Sequence, residues 1–115
     1  MNMKIITQTI SIEELREMAE KMFGNLVKAV VDVKKGLMAV DAELHADEEA
    51  YLIENGSKQK NLWGINLYPE LTGDDFIEFD SMINLRPSQG NLTRGVENQE
   101  IQERIRRLVD KLIKK

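Results

Sequence analysis

The chain contains no cysteine, which removes disulfide cross-links, thiol nucleophiles and every thiolate metal site in one step. It has one histidine, His45, so a metal centre would draw most of its ligands from carboxylates. No apolar run approaches the roughly 20 residues that span a bilayer. The N-terminal MNMKIITQTI is too short and too polar for a signal peptide. The expected location is the cytoplasm, with no membrane partner. Internal repeats, low-complexity tracts and linkers are also missing. No serine sits in a nucleophile elbow: Ser11 starts a helix, and Ser57, Ser81 and Ser88 lack the surrounding pattern. A covalent hydrolase is therefore not expected.

What is present describes an ordinary globular chain. Its 115 residues fit one domain, and 42% hydrophobic with 31% charged residues is a composition that buries a continuous core. A net charge of −4 argues against a nucleic-acid partner, because phosphate neutralisation needs a dense basic surface. Charge is unevenly spread. The stretch Asp41 to Glu54 is acidic with no Lys or Arg, whereas Arg86 to Val96 holds Arg86 and Arg94 with no acid.

Met3 to Thr7 reads as a strand. Ser11 with Glu14 forms a capping box before Ile12, Leu15, Met18, Ala19 and Met22 at helical spacing, which Gly24 ends. Two alternating runs flank Lys35-Gly36, and a two-residue hairpin loop would oppose Val33 to Met38, Val31 to Val40, Ala29 to Ala42 and Val27 to Leu44. The same register pairs Lys28 with Glu43. A second helix is expected after Asp47 as its cap, closed by Asn55-Gly56. Leu62 to Tyr68 and Phe76 to Leu85 read as strands, Arg86 to Val96 as a long loop, and a last helix begins near Asn98 with Ile101, Ile105, Leu108, Val109 and Leu112 as its apolar stripe.

This order predicts an α+β fold: two layers, a mainly antiparallel five-stranded sheet with about three helices on one face. The other face would carry Lys28, Asp32, Asp41, Glu43, Asn66, Tyr68, Glu78, Asp80 and Asn84 and meet water. Trp63 belongs to the apolar face and Tyr68 to the polar one.

The stretches from Glu43 to Glu49, Asn61 to Pro69 and Phe79 to Asn91 resemble an uncharacterised family of small bacterial and archaeal proteins of unknown function. The likeness runs over nearly the whole chain. It implies kinship without an activity, ligand or cofactor.

Three constellations carry chemistry. Glu43, His45 and Asp47 alternate behind Asp41 and would line one side of an extended strand, where imidazole and carboxylates with Asp80 suit a metal or acid-base centre. The ordinary alternative gives Glu43 to Lys28 and Asp47 to a helix cap. The loop residues Arg86, Ser88, Gln89, Gly90, Asn91, Arg94 and Gly95 supply guanidinium, amide, hydroxyl and backbone donors that suit an anionic small molecule. They match no Walker pattern, which needs a Gly-Lys pair, and the alternative there is an ordered loop whose arginines pair with acids such as Glu78 or Asp80. The last helix has a basic face of Arg104, Arg107, Lys111, Lys114 and Lys115, but Glu100, Glu103 and Asp110 stand four positions before Arg104, Arg107 and Lys114, as on a solvated helix laced with ion pairs. The leading expectation is a ligand-binding or interaction domain whose functional surface is the polar sheet face with the Arg86 to Gly95 loop, which takes an anionic partner, and which self-associates as a homodimer. A small metal-dependent or acid-base enzyme centred on His45, and a pure protein interaction module, are the alternatives.

Overall fold

Alternation of apolar residues over Val27 to Val40 places the middle of a sheet here. The computed structural model, which describes residues 3–115, builds that sheet from five strands. Met1 and Asn2, the start of the stretch weighed above as a signal peptide, lie outside the described residues. In chain order the elements are β1 (Lys4–Ile6), β2 (Ile10–Ser11), α1 (Ile12–Lys21), β3 (Val27–Asp32), β4 (Leu37–Val40), α2 (His45–Glu54), β5 (Leu62–Leu67), β6 (Ile77–Glu78), α3 (Gln99–Leu112) and β7 (Ile113–Lys114). The main sheet has the order β1-β4-β3-β5-β6, and every neighbouring pair in it is antiparallel. The α+β class, the five antiparallel strands and the three helices are those expected. A two-stranded parallel ribbon of β2 and β7 pairs Ile10 with Ile113 and joins the start of α1 to the end of α3.

The parity of β3 and β4 is as expected, but their register is offset by two residues. Ala29 opposes Val40, Val31 opposes Met38 and Asp32 opposes Leu37, so the loop is Val33 to Gly36 rather than a two-residue turn. Asp32 is the reason. Its Oδ1 accepts from the backbone N–H groups of Lys34 and Lys35, both at 2.9 Å, and Gly36 takes the left-handed conformation at φ 71°. An aspartate starting the turn and a glycine ending it favour a four-residue loop over Lys35-Gly36 alone. Because the offset is even, no side chain changes face. The expected Lys28–Glu43 partnership falls away, since Lys28 stands opposite Asn66 and the β3–β4 ladder stops at Val40.

Helices cover both faces. Ile12, Leu15, Met18 and Ala19 of α1 and Ile105, Val109 and Leu112 of α3 pack on Val27, Ala29, Val31, Met38, Val40, Trp63, Ile65 and Leu67. Ser11 caps α1 by accepting from Glu14 N–H, and Asn98 caps α3 by accepting from Ile101 N–H, as the sequence predicts. On the opposite face Leu52 of α2 packs on Val30, Ala39 and Leu62, with Ile5, Leu37 and Ile83 around them. That second face is largely covered, although Glu78 stays exposed and Lys28 half-buried. Asp32 and Asn84 are fully buried on it and Asn66 is 7% exposed.

Two local expectations give way, each to a turn. Asp41 adopts a left-handed backbone at φ 73°, which turns the chain off β4 and lets α2 start at His45, three residues earlier than its expected start after Asp47; Asp47 lies inside the first turn instead of capping it. The strand expected from Phe76 to Leu85 ends at Glu78. Beyond it, Ser81 Oγ accepts from Ile83 N–H and begins a short 3-10 turn, Met82–Asn84. Gly64 permits this, because a Cβ there would stand 2.5 Å from Ser81 Cβ and Oγ. The segment therefore folds down onto β5, and Asn84 replaces a strand neighbour: Oδ1 accepts from Gly64 N–H at 2.9 Å and Nδ2 donates to Gly64 C=O at 3.0 Å.

Candidate functional site

The two candidate sites predicted from sequence meet on this covered face, though with a different membership. Arg86 points inward. It is 6% exposed, its guanidinium lies 4.7 Å from the Trp63 ring, Nε donates to Ile83 C=O at 3.0 Å, and Nη2 donates to Leu62 C=O. Its acid is Glu49 of α2, at 3.7 Å, rather than Glu78 or Asp80. Burial lowers the guanidinium's affinity for its proton and Glu49 opposes that. Arg86 thus closes the open edge of β5 beyond the short strand β6.

Asn91 is likewise absorbed into the loop. Its Nδ2 donates to the carbonyls of Asn84 and Gly95, each at 2.8 Å, and its Oδ1 accepts from Glu97 N–H at 2.9 Å. Ser88, Gln89 and Gly90 sit on the exposed turn that follows Pro87, and Gln89 Nε2 donates to Lys60 C=O at 3.3 Å. Gly95 is half-buried below Thr93. Arg94 of the expected anion loop lines a cleft. It hydrogen-bonds through Nε to Asp80 Oδ1 at 2.7 Å, the acid foreseen for it, with its side chain 55% exposed.

That cleft holds about 210 Å³ and lies between the start of α2 and the turn following β6. Lys28, His45, Asn66, Asp80, Ser81 and Arg94 form its polar wall, and Leu44, Met82 and Ile83 its apolar one. His45 is held by a 2.7 Å contact from Nε2 to Ile65 C=O. A carbonyl can only accept, so Nε2 carries the proton and Nδ1 keeps its lone pair. Burial is the main cause that lowers the ring's pKa from its ordinary 6.5, aided by Lys28 and Arg94 and opposed by the Ile65 hydrogen bond and Asp80. The imidazole is neutral at pH 7.

Of the proposed metal set, His45 and Asp80 share the cleft, whereas Glu43 and Asp47 are exposed and outside its lining. The turn at Asp41 destroys the extended row on which that set depended. Among the described residues no three His, Asp or Glu side chains converge as metal ligands. Ser81 and the apolar wall are not singled out by sequence as a site, whereas Lys28 and Asn66 belong to the polar sheet face expected as part of a binding surface. Lys28 and Asn66 are adjacent in register and already shared one face of the predicted sheet, which is the signal that places them together.

Asn66 has one unanswered atom. Its Nδ2 donates to Glu78 Oε1 at 2.9 Å and to Asp80 C=O at 3.3 Å, while buried Oδ1 has no donor. Both Nδ2 partners are acceptors, which fixes the amide's orientation. Tyr68 OH also donates to Glu78, at 2.8 Å. Deeper under α2, the Glu48 carboxyl is fully buried with neither oxygen hydrogen-bonded, and burial pushes its pKa well above the ordinary value.

The basic face of α3 forms none of its three expected intrahelical pairs within 4 Å among the described residues. Lys114 has left the helix for β7, and exposed pairs of this kind contribute little in any case. No helix among the described residues is long and apolar enough to cross a membrane. Residues 4–112 match a family model described as a protein of unknown function (DUF5674), and no curated protein and no solved structure matches the chain.

Proposed function

The chain belongs to the DUF5674 family, and we propose that its task is to bind a small anionic molecule in the cleft between the start of α2 and the turn after β6. One observation supports this above the rest: Lys28 and Arg94, from segments 66 residues apart in sequence, line the same cleft as the uncapped N-terminus of α2. Two cations and a helix start without a side-chain cap attract negative charge. This keeps the anionic partner foreseen from the 86–95 loop but moves it from Arg86 to Lys28 and Arg94. Small size is part of the reading, since 210 Å³ is below the roughly 300–1,000 Å³ of sites for drug-sized ligands. The acidic composition and lack of cysteine support a cytoplasmic protein without a nucleic-acid or membrane partner.

Calorimetric titration with acetate, lactate and inorganic phosphate tests the reading. The expected result is saturable binding of at least one of them, weakened at least tenfold in Lys28→Ala and in Arg94→Ala. Variants that bind as tightly as the parent chain, or a parent chain that binds none of the three, would contradict it.

A second reading is acid-base chemistry by His45, favoured by its fixed tautomer and unprotonated Nδ1. Heteronuclear NMR of the ring is expected to show Nε2 protonated and a titration below 6.5. A ring protonated on Nδ1 at pH 7 would remove the base.

A further inference from the structure

The cleft carries more than positive charge. Asp80 lies on its wall with a side chain 40% exposed, Asn66 Oδ1 lacks a donor, and His45 holds Nδ1 as an acceptor. A plain anion answers Lys28 and Arg94 but meets Asp80 as a like charge and leaves the His45 acceptor unserved, while Asn66 Oδ1 is closed off behind the wall. Covering an acceptor without a donor is costly, so the acceptors are informative about the ligand. They call for hydrogen-bond donors, and the carboxylate among them for a positively charged donor.

Resting on the reading of the cleft as an anion site, we propose that its ligand is a small zwitterion: an α-amino acid with a short aliphatic side chain. Its carboxylate faces Lys28 and Arg94, whose terminal guanidinium nitrogens make no hydrogen bond among the described residues. Its ammonium faces Asp80 and the His45 acceptor. Its side chain lies on Leu44, Met82 and Ile83, of which Leu44 is 55% and Met82 63% exposed. The volume suits this class, because a short amino acid fits about 210 Å³ whereas a nucleotide does not. The mixed polar wall with one apolar side also gives a means of selection, since a site built around polar partners rejects an analogue lacking one of them more strongly than a greasy pocket rejects a missing methylene.

The test compares analogues on the unmodified chain, so no variant need fold. L-Alanine and L-valine are titrated beside propionate and isovalerate, which lack the ammonium, and ethylamine and isobutylamine, which lack the carboxylate. The expected result is that each amino acid binds at least tenfold more tightly than either partial analogue. Carboxylates that bind as well as the amino acids would overturn the zwitterion and leave the anion site standing. Amines that bind as well would overturn the zwitterion and the anion site together, whereas binding by none of the six would overturn the zwitterion and leave the anion site to be decided by the phosphate titration.

Discussion

Arg86 and Arg94 are the same residue type eight positions apart, and their surroundings give them opposite roles. Arg86→Ala would strand the carbonyls of Leu62 and Ile83, unpair Glu49 and uncover the Trp63 face, a loss of about 2–4 kcal/mol in urea unfolding. Arg94→Ala removes an ion pair that is half in water and is expected to move stability by less than about 1 kcal/mol. Equal effects from the two would contradict the inward orientation of Arg86. Glu48 gives a third residue-scale outcome. Because its folded-state pKa is raised above the ordinary 4.5, its contribution to stability is full below 4.5 and is lost as pH rises toward the folded value. Glu48→Gln is therefore expected to stabilise the chain at pH 7–8, with the gain shrinking as pH falls to about 4.5. A gain independent of pH, followed by thermal unfolding, would mean that the carboxyl is not the source.

At the scale of elements, β5 holds the second face together. It is buried along its whole length, and where β6 gives out, the side chains of Asn84 and Arg86 occupy its edge. Gly64→Ala would drive a Cβ into Ser81 and lift the turn that carries Ser81, Met82 and Ile83 of the cleft wall. The expected cost is about 1–3 kcal/mol, the range for overpacking, together with loss of anion binding, both read from one thermal-shift series with and without ligand. Full binding in the alanine variant would show that the turn does not depend on this close approach.

The elements also show what the sequence reveals and what it does not. Capping pairs and helical stripes are local, so Ser11 with Glu14 and Asn98 with the Ile101 stripe appear in the structure as predicted. Face assignment over Val27 to Val40 is legible for the same reason, since parity needs only neighbouring residues. Register needed the turn, and Asp32 was read as a face residue rather than as the start of a turn. The strand expected over Phe76 to Leu85 stops short because Ser81 caps a turn within the alternating parity of Ile77, Phe79, Ile83 and Leu85. Gly64 in the middle of an apolar strand was the available warning of a close backbone approach. Of the candidate site, the sequence points to His45, Asp80 and Arg94 and sets Lys28 and Asn66 on one polar sheet face, but their meeting depends on α2 crossing the second face, which no local pattern encodes.

For the whole molecule, the decisive feature is that one sheet is covered on both sides. α1 and α3 take the larger apolar face. α2 and the segment after β6 take the other, burying Asp32 and Asn84 and gathering Lys28, Asn66 and Asp80 at a cleft, with Glu78 left exposed. The uneven charge noticed in sequence acquires a meaning at this scale: the base-free 41–54 stretch and the acid-free 86–96 stretch are brought together, and Arg86 with Glu49 joins them. A loop that looked like a free anion trap is mostly a cover, and the group it leaves at the surface of the cleft is Arg94.

The most direct measurement is a nitrogen-15 amide NMR titration of the intact chain with acetate, inorganic phosphate and L-alanine in turn. At least one ligand is expected to shift, saturably and together, the amides of Lys28, Leu44 to Ala46, Asn66, Asp80 to Ile83 and Arg94. Shifts centred instead on Ser88 to Gly90 or on α3, or no saturable shifts with any of the three, would contradict the cleft as the binding site.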